Sequence, residues 1–331
     1  MSRFNRLLAS VNVFSRQFKL KFSLDFGSSR TRLMVSKKLV WDQPTLIAWH
    51  HGLQAVVAIG DQAAKLRGKV PKQIELIEPI SKGVVAELDY AVLYLRAVLE
   101  QLQEQHKITA WIIADCKLAV PANASPLARK QLRQVVEKVG WRVKQIITST
   151  ESILALPVFK KITQSHGIIN LGAQTVEMGI FTGTQLFKVV TLTEINGDTF
   201  TQTIIDFVLT KHQLKIGWQM AEQLKHQSAA VVTVSGKDTQ TNLVKVTRIE
   251  VKDFQEHLRS LAAEMLADLK MAIDELPAGI IIQLQDQGFY LTGANSQVLD
   301  WAALLRESWQ MPAITSADPS LDVVKGLAND K

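Results

Sequence analysis

The chain has 331 residues, 47% of them hydrophobic, and a formal net charge of +7 at pH 7. This length and composition are sufficient for a large buried core and for two domains. A single cysteine, Cys116, excludes an internal disulfide, no apolar run reaches the ~18 residues of a membrane-spanning helix, and the histidines lack the spacing of metal ligands.

The first 21 residues carry much of the excess positive charge and no acidic residue. Apolar residues recur there at the three- and four-residue spacing of a helix, namely Phe4, Leu7, Leu8, Val11 and Phe18, accompanied by the basic residues Arg3, Arg6 and Arg16. A basic amphipathic helix of this kind lies in the headgroup plane of an anionic membrane. Residues 1–21 are therefore predicted to bind a membrane surface, and the alternatives are a helix packed on the protein's own body or a disordered tail.

Nucleic acid is not a predicted partner, because the positive charge forms no stripe with interleaved aromatic residues and no nucleic-acid-binding motif is present. Between Lys19 and Ala58, short apolar segments separated by turns predict several strands. The elements predicted next are a helix over 84–105, a strand at 111–113, a helix over 127–140, a strand over 143–147 and a helix that opens at Glu151.

The same order of hairpin, helix and strand begins again at Ile168. The elements predicted there are helices over 200–209, 218–225, 251–276 and 296–307, strands within 229–251 and 288–293, a strand-sized apolar run at 279–282, and a closing helix at 323–328. This recurrence indicates an internal duplication. It predicts two α/β lobes with a ligand cleft between them.

Two short segments about 145 residues apart look like copies of one phosphate-binding turn. In residues 24–31 and again in residues 169–175, an apolar strand enters a turn of small residues and then resumes. Such a turn directs backbone N–H groups at an anion, and an acid at the strand end can hold the water shell of a metal ion. That acid is Asp25 in the first segment, whereas the second segment has the amide Asn170. Binding and hydrolysis of a nucleotide are therefore separate questions.

These motifs, in this order, resemble the actin and DnaK-type chaperone ATPase fold, and most specifically its bacterial MreB branch. The likeness covers nearly the whole chain from about Phe22. Residues 60–65, 68–71 and 78–86 are similar to that family's G-x-E-A-K, G-R-T-P and R-P-M-K-D-G-V-I-A segments, and residues 42–45 are similar to its N-E-P-S turn. The resemblance implies an α/β fold of the actin type, with two lobes that each contain a mixed β-sheet and helices and with a nucleotide cleft between the lobes. Lobe I would comprise residues 22–148 and 310–331, and lobe II residues 149–309.

The resemblance also implies ATP and Mg²⁺ as cofactors, both of them open questions for this chain. Asp25 would hold Mg²⁺ through water. The residues that match the family's phosphate-binding turns are Gly27, Ser28, Ser29, Arg30, Gly172, Gly197 and Asp198. In the catalytic positions, Glu151 matches the carboxylate that positions the attacking water, and Asn170 and Thr175 lie in the segment that replaces D-I-G-G-G-T-T-E.

On the nucleoside side, Glu222 and Lys225 match the pair that lines the pocket, and Gly293 and Ala294 match the turn beside adenine. Simpler interpretations exist: Glu151 as an ordinary acid at a helix N-terminus, and Glu222 with Lys225 as an ordinary (i, i+3) surface pair.

Several departures from the family pattern weaken the catalytic prediction. Asn170 cannot act as a base, and loss of a positioned acid–base group typically costs roughly 10²–10⁴ in rate. Ala173 and Gln174 replace glycines that allow close backbone approach to phosphate. Arg30 replaces a neutral residue, and it would either bind a phosphate or form a salt bridge across an empty cleft. The enzyme assignment is left open, with at most a slow ATPase expected.

The resulting hypothesis is a membrane-associated, MreB-like cytoskeletal protein on the inner face of the cell membrane. It would assemble head to tail into filaments with copies of itself and guide cell-wall synthesis together with membrane proteins of cell-wall elongation. The alternative is a non-catalytic actin-like adaptor that scaffolds membrane partners. An enzyme such as a sugar kinase or a chaperone motor is the third possibility, and it is disfavoured because such proteins are usually longer.

Overall fold

The computed structural model describes residues 20–106 and 114–330 of the chain. Residues 1–19 of the predicted membrane-binding helix and the predicted strand at 111–113 lie outside these residues. The end of that helix prediction is corrected, because Lys21 is the first residue of the strand Lys21–Phe26. Within them, one compact unit ends at Pro157 and resumes at Val323, and the second comprises Val158–Asp322. No helix of this described part is both long and apolar enough to span a bilayer.

The first unit is built around a five-stranded sheet. Its elements are β1 (Lys21–Phe26), β2 (Arg30–Val35), β3 (Lys38–Pro44), β4 (Ile47–His50), β5 (Ala55–Ile59), α1 (Gly60–Ala64), β6 (Ile74–Ile77), β7 (Ile80–Ser81), β8 (Val84–Val85), α2 (Leu88–His106), β9 (Asp115–Val120), α3 (Pro126–Lys138), β10 (Arg142–Thr148) and α4 (Ser149–Ile153). The sheet order is β10-β9-β1-β2-β3, in which β1, β2 and β3 are antiparallel neighbours and β9 and β10 run parallel to β1.

The core of the first unit follows from the period-two pattern of β1. Phe22, Leu24 and Phe26 alternate along the strand and are buried. Helix α3 begins where the sequence provides a cap, because Ser125 accepts the Ala128 N–H at 3.1 Å and Pro126 occupies the first turn. These elements hold the carboxyl end of β1, and the turn that follows it, in a fixed position.

The second unit repeats this architecture. Its elements are β11 (Ser165–Leu171), β12 (Val176–Thr182), β13 (Gln185–Leu192), α5 (Gly197–His212), β14 (Leu214–Lys215), α6 (Trp218–Lys225), β15 (Val231–Asp238), β16 (Val244–Glu250), α7 (Val251–Asp274), α8 (Ala278–Gln287), β17 (Phe289–Thr292), α9 (Trp301–Trp309) and β18 (Ala313–Thr315), and α10 (Asp322–Asn329) then returns the chain to the first unit.

The order of its main sheet is β13-β12-β11-β17-β18. Two antiparallel hairpins are followed by two parallel additions, as in the first unit. The predicted internal duplication is therefore confirmed by the topology. Each unit also has a separate three-stranded sheet, β5-β4-β6 in the first unit and β14-β15-β16 in the second.

The boundaries between the units differ from the predicted ones. Residues 149–157 belong to the first unit, since α4 directly continues β10. Residues 310–322 belong to the second unit rather than the first, because β18 pairs with β17 and the Asp322 carboxylate accepts the Thr292 hydroxyl at 2.8 Å.

Three predicted elements also need correction. The helix expected from Val84 begins at Leu88, because Val84–Val85 pairs with Ile80–Ser81 through a turn in which Lys82 and Gly83 both have positive φ. The apolar run 279–282 lies inside α8 instead of a strand, and α8 packs against β11. The helix expected from Ser296 begins at Trp301, where Asp300 provides the cap after a short 3-10 turn.

Candidate functional site

The first predicted phosphate turn lies between β1 and β2 and is held by a dense set of hydrogen bonds. A Cβ on Gly27 would stand 2.8 Å from the Arg30 carbonyl oxygen, so the chain can make this approach only with glycine. Thr45, the residue after β3, makes two further bonds to this turn: its hydroxyl donates to the Gly27 carbonyl at 2.7 Å, and its N–H donates to the Ser29 carbonyl at 2.9 Å. The turn is therefore preorganised by its own unit.

A segment distant in sequence completes this turn. The Ser28 hydroxyl oxygen accepts the Gly83 N–H at 2.8 Å. Gly83 has a φ of +74°, and a Cβ there would overlap the ring of Pro121. The segment 78–86, which the sequence analysis singled out, and the loop that starts at Pro121 thus meet beside the first turn.

The charged residues of this turn form a network within the sheet. The Arg30 guanidinium donates to Asp42 on β3 through Nε at 2.7 Å to the carboxylate and through Nη2 at 2.6 Å to the main-chain carbonyl. The partner of Arg30 in this structure is thus a neighbouring strand of its own sheet, and its predicted contact with a phosphate stays a prediction. Arg32, directly opposite Asp25 in the β1–β2 register, lies between two carboxylates: its Nη1 is 3.6 Å from Asp25 and its Nε is 3.4 Å from Asp42.

The surroundings of Asp25 do not fit a hydrated magnesium ion. Burial raises the pKa of the Asp25 carboxyl above its ordinary value, and the Arg32 guanidinium opposes this rise by favouring the charged form. The Arg32 guanidinium already forms an ion pair with this carboxylate, the same group that a metal ion's water shell would need. In the part of the chain that the structure describes, no group of three or more His, Cys, Asp or Glu side chains is arranged to hold a metal.

In the second unit, the three predicted glycine turns come together. The Gly172 N–H donates to the Thr175 carbonyl at 3.0 Å, and a Cβ on Gly172 would lie 2.6 Å from that oxygen, so the β11–β12 turn is as tight as the first one. The Gly172 carbonyl then accepts the Gly197 N–H at 3.1 Å and the Asn295 side-chain amide at 2.9 Å. The Gly172 carbonyl thus connects the turn at Gly172 with the turns at Gly197 and at residues 293–295.

The N-terminus of α5 points its donors into this cluster. The Asn196 side chain caps the helix by accepting the N–H groups of Asp198 and Thr199, and the Asp198 N–H also donates to the Ala173 carbonyl at 2.8 Å. The dipole of α5 makes this end electropositive, whereas its first N–H groups are already used by the cap and the neighbouring turn. In the observed arrangement, α5 therefore attracts an anion mainly through the electric field of its dipole and not through free N–H donors.

Asn170 and Gly293 meet at the end of strands β11 and β17. Gly293 has a φ of +83°, and a Cβ there would overlap the Leu171 carbonyl and stand 2.7 Å from Asn170 Oδ1. Ala294 follows in a 3-10 turn. Across the β11–β12 ladder, Asn170 is opposite Glu177, a buried carboxylate that the sequence suggested only as part of a motif.

Lys225 has a structural role that the sequence prediction missed. The residue is only 5% exposed. Its ammonium donates to the Gly197 carbonyl at 3.0 Å, to the Thr201 hydroxyl at 2.9 Å and to Glu222 at 2.7 Å, and Thr201 also donates to Glu222. An ammonium has three donors, so this set accounts for all of them. Lys225 holds α6 against the first turn of α5, and Glu222 with Lys225 is more than a surface pair.

Glu151 is a capping residue in this structure. Its carboxylate accepts the Thr148 hydroxyl at 2.6 Å and the Thr148 N–H at 3.2 Å, while the Thr148 hydroxyl accepts the Glu151 N–H at 3.3 Å. This reciprocal pair is a capping box at the start of α4. The simpler interpretation of Glu151 accounts for these contacts.

Comparison with known proteins decides the family. A sequence profile described as MreB/Mbl protein matches residues 19–330. The chain belongs to the MreB/Mbl family. It is 22% identical over 316 residues to the cell shape-determining protein Mbl of Bacillus subtilis, with 91% of this chain and 92% of Mbl covered. It is also 22% identical over 330 residues to the cell shape-determining protein MreB of Escherichia coli, with 95% and 93% covered.

Solved structures give the same fold. MreB5 of Spiroplasma citri bound to AMPPNP superposes with a TM-score of 0.85 at 20% identity, covering 94% of this chain and 95% of that one. A MamK double helical filament superposes with a TM-score of 0.75 at 19% identity, covering 94% and 98%. The predicted actin-type α/β fold is confirmed.

In this MreB/Mbl chain, the predicted site residues thus fall into two groups. The first unit contains Asp25, Gly27, Ser28, Ser29, Arg30 and Glu151, and the second contains Asn170, Gly172, Thr175, Gly197, Asp198, Glu222, Lys225, Gly293 and Ala294. Sequence reasoning missed Arg32, Asp42 and the bridging role of Asn295. The sequence did contain a signal for Arg32. Alternate residues of a strand lie on the same face, so Arg32 is expected on the same face of β2 as Arg30.

Proposed function

We propose that this MreB/Mbl chain is an actin-like, nucleotide-binding cytoskeletal protein that assembles into filaments with copies of itself. The observation that carries the proposal is the convergence of the three glycine turns on the Gly172 carbonyl beside the N-terminus of α5. Tight turns next to a helix N-terminus suit a phosphate chain. A family member of this fold, MreB5, carries AMPPNP in one structure and ADP in another, and the MamK relative forms a double helical filament.

Hydrolysis in this proposal is slow or lost. Asn170 has no charge with which to accept a proton or orient a metal-bound water. One oxygen of the Glu151 carboxylate, Oε2, accepts both hydrogen bonds of the α4 cap, which holds this side chain at its own helix. The nucleotide then acts as a ligand that sets the state of the protein rather than as a substrate that is turned over, which is the logic of ligand-controlled domain closure.

The membrane part of the proposal rests on the sequence of residues 1–21. Many weakly bound amphipathic helices along one filament hold it on an anionic surface by avidity. In this setting the protein acts on the inner face of the cell membrane, where it guides cell-wall synthesis through membrane partners.

Co-sedimentation tests the membrane and filament parts together. The full chain is centrifuged with anionic or uncharged vesicles, with and without ATP, and we expect polymer in the pellet with anionic vesicles. The double variant Leu7→Asp/Val11→Asp should lose vesicle binding. Leu53→Asp is the matched control, because Leu53 is an exposed apolar side chain, 67% accessible, outside the predicted helix. Absence of polymer on anionic vesicles with and without ATP contradicts the filament proposal.

A second candidate function is a non-catalytic adaptor that no longer binds nucleotide. The observation that favours it is the internal use of donors: the three of Lys225 and the first N–H groups of α5. Calorimetric titration with ATP separates the two candidates. Heat of binding with a measurable dissociation constant supports the nucleotide-binding filament, whereas no heat together with a monomer on vesicles supports the adaptor.

A further inference from the structure

The inference concerns the cation at the first phosphate turn. Asp25 stands where a carboxylate would hold a divalent metal through water, but its neighbour across the β1–β2 ladder is Arg32. Arg32 Nη1 lies 3.6 Å from Asp25 Oδ2, and the two side chains are only 12% and 18% exposed. The pair is therefore largely withdrawn from solvent, where its attraction is screened less than on the surface.

A second carboxylate fixes Arg32 in this position. Asp42 on β3 is the cross-strand neighbour of Arg32, and its Oδ1 lies 3.4 Å from Arg32 Nε. The same Asp42 oxygen accepts Arg30 Nε at 2.7 Å. The guanidinium of Arg32 thus lies between the carboxylates of β1 and β3 and forms an ion pair with each, although its buried Nε makes no hydrogen bond.

A guanidinium and a hydrated divalent ion compete for the same carboxylate. A divalent ion at Asp25 would have to displace the Arg32 guanidinium or stand beside it, and either arrangement is unfavourable in a largely buried position. The four side chains Arg30, Arg32, Asp25 and Asp42 already balance two positive charges with two negative ones.

We propose that Arg32 takes the place of the divalent cation at Asp25, so that a nucleoside polyphosphate binds to this chain without magnesium. The inference rests on the proposed nucleotide-binding function and specifies its cofactor requirement. Arg30 supplies the phosphate contact that the metal no longer supplies. It lies on the same face of β2 as Arg32, its side chain is 36% exposed, and the two contacts with Asp42 use two of its five N–H donors.

The test is a fluorescence titration of the full chain with N-methylanthraniloyl-ATP, once with excess magnesium and once with EDTA. For the wild type, we expect dissociation constants that agree within about twofold. For Arg32→Met, which removes the charge but keeps the length of the side chain, we expect binding in EDTA to be about tenfold or more weaker than in magnesium, a change of ~1.4 kcal/mol. Arg32→Lys keeps a cation beside Asp25 and should behave like the wild type.

Arg142→Met is the matched control. Arg142 on β10 is paired with Asp115 on β9, at the edge of the same sheet opposite to β2 and β3, and it plays no part in the first turn. It should leave both dissociation constants unchanged. Circular dichroism of each variant establishes that it is folded, and if Arg32→Met does not fold, the magnesium dependence of the wild type still tests whether a divalent ion is needed.

The outcomes separate the inference from the function on which it rests. Wild-type binding that is lost in EDTA and restored by magnesium overturns the role of Arg32 while leaving nucleotide binding intact. Absence of binding under both conditions overturns the nucleotide-binding proposal itself, and the inference with it. Equal binding by the wild type, combined with a magnesium requirement in Arg32→Met, supports both.

Discussion

Replacing Lys225 with methionine tests whether the α5–α6 junction is a structural unit or part of a ligand pocket. Methionine fills most of the space of the lysine stem but provides no donor. The substitution removes the bonds to the Gly197 carbonyl, the Thr201 hydroxyl and Glu222 at once. We expect it to destabilise the second unit even when no nucleotide is present.

The magnitude follows from what the substitution leaves behind. Removing one partner of a buried ion pair typically costs about 3–5 kcal/mol. Here the remaining charge, on Glu222, is 36% exposed and can be rehydrated. The Thr201 hydroxyl, which has a single proton, lies within reach of both Glu222 and the Gly197 carbonyl and can turn that proton to the carbonyl, 3.0 Å away. Both facts reduce the loss, to about 2 kcal/mol. For a domain of this size, that corresponds to a fall of roughly 4–8 °C in melting temperature.

Thermal unfolding followed by circular dichroism measures this loss, and hydrogen exchange at the α5 amides locates it. Lys270→Met is the matched control, because Lys270 pairs with Asp274 one turn away on the exposed face of α7. An exposed helical pair of this type contributes less than about 0.5 kcal/mol. If the two variants melt alike without nucleotide, and only Lys225→Met weakens ATP binding, then Lys225 is a ligand contact and the structural interpretation is refuted.

Three further variants probe the glycine turns and the titratable groups. Gly293→Ala forces a Cβ into the Leu171 carbonyl at a φ of +83°, and it should lower the melting temperature sharply, whereas Gly279→Ala, which meets no atom within 4 Å in α8, should leave it unchanged or raise it. His166 is buried, and burial lowers its pKa, so the unfolded chain binds more protons than the folded one below pH 6.5. The stability should therefore fall as the pH drops through that value. His166→Phe should flatten this part of the pH–stability curve measured by urea unfolding, and an unchanged slope contradicts this role of His166. The Thr241 N–H, the Lys245 ammonium and the Gln240 N–H hold the pKa of Asp238 well below its ordinary value, so its contribution is present above pH 3.8 and is lost as the pH falls below it; Asp238→Asn should lower stability at neutral pH and reduce the acid sensitivity below pH 4.

The duplicated architecture could be predicted from the sequence because each half of the chain shows the same order of local residue patterns. A strand ending in small residues, a second strand, a helix and a further strand are all encoded by neighbouring residues. The phosphate turns were accessible for a similar reason, since Gly27 and Gly172 stand at fixed distances after their strands and each has room only for a hydrogen. Errors came where a turn has unusual geometry, as at Lys82 and Gly83, whose positive φ values convert the expected start of a helix into a hairpin.

The sequence by itself determined the fold, the two turns and the loss of the acid at Asn170, because these depend on residue types at short spacing. Only the tertiary structure decided which donors and charges remain available at the site. Lys225 is consumed by Gly197, Thr201 and Glu222, and Arg32 is drawn to Asp25, through contacts between segments that the chain brings together from a distance. Side-chain pairing between strands or between helices depends on register and packing, which the residue pattern of a single segment does not determine.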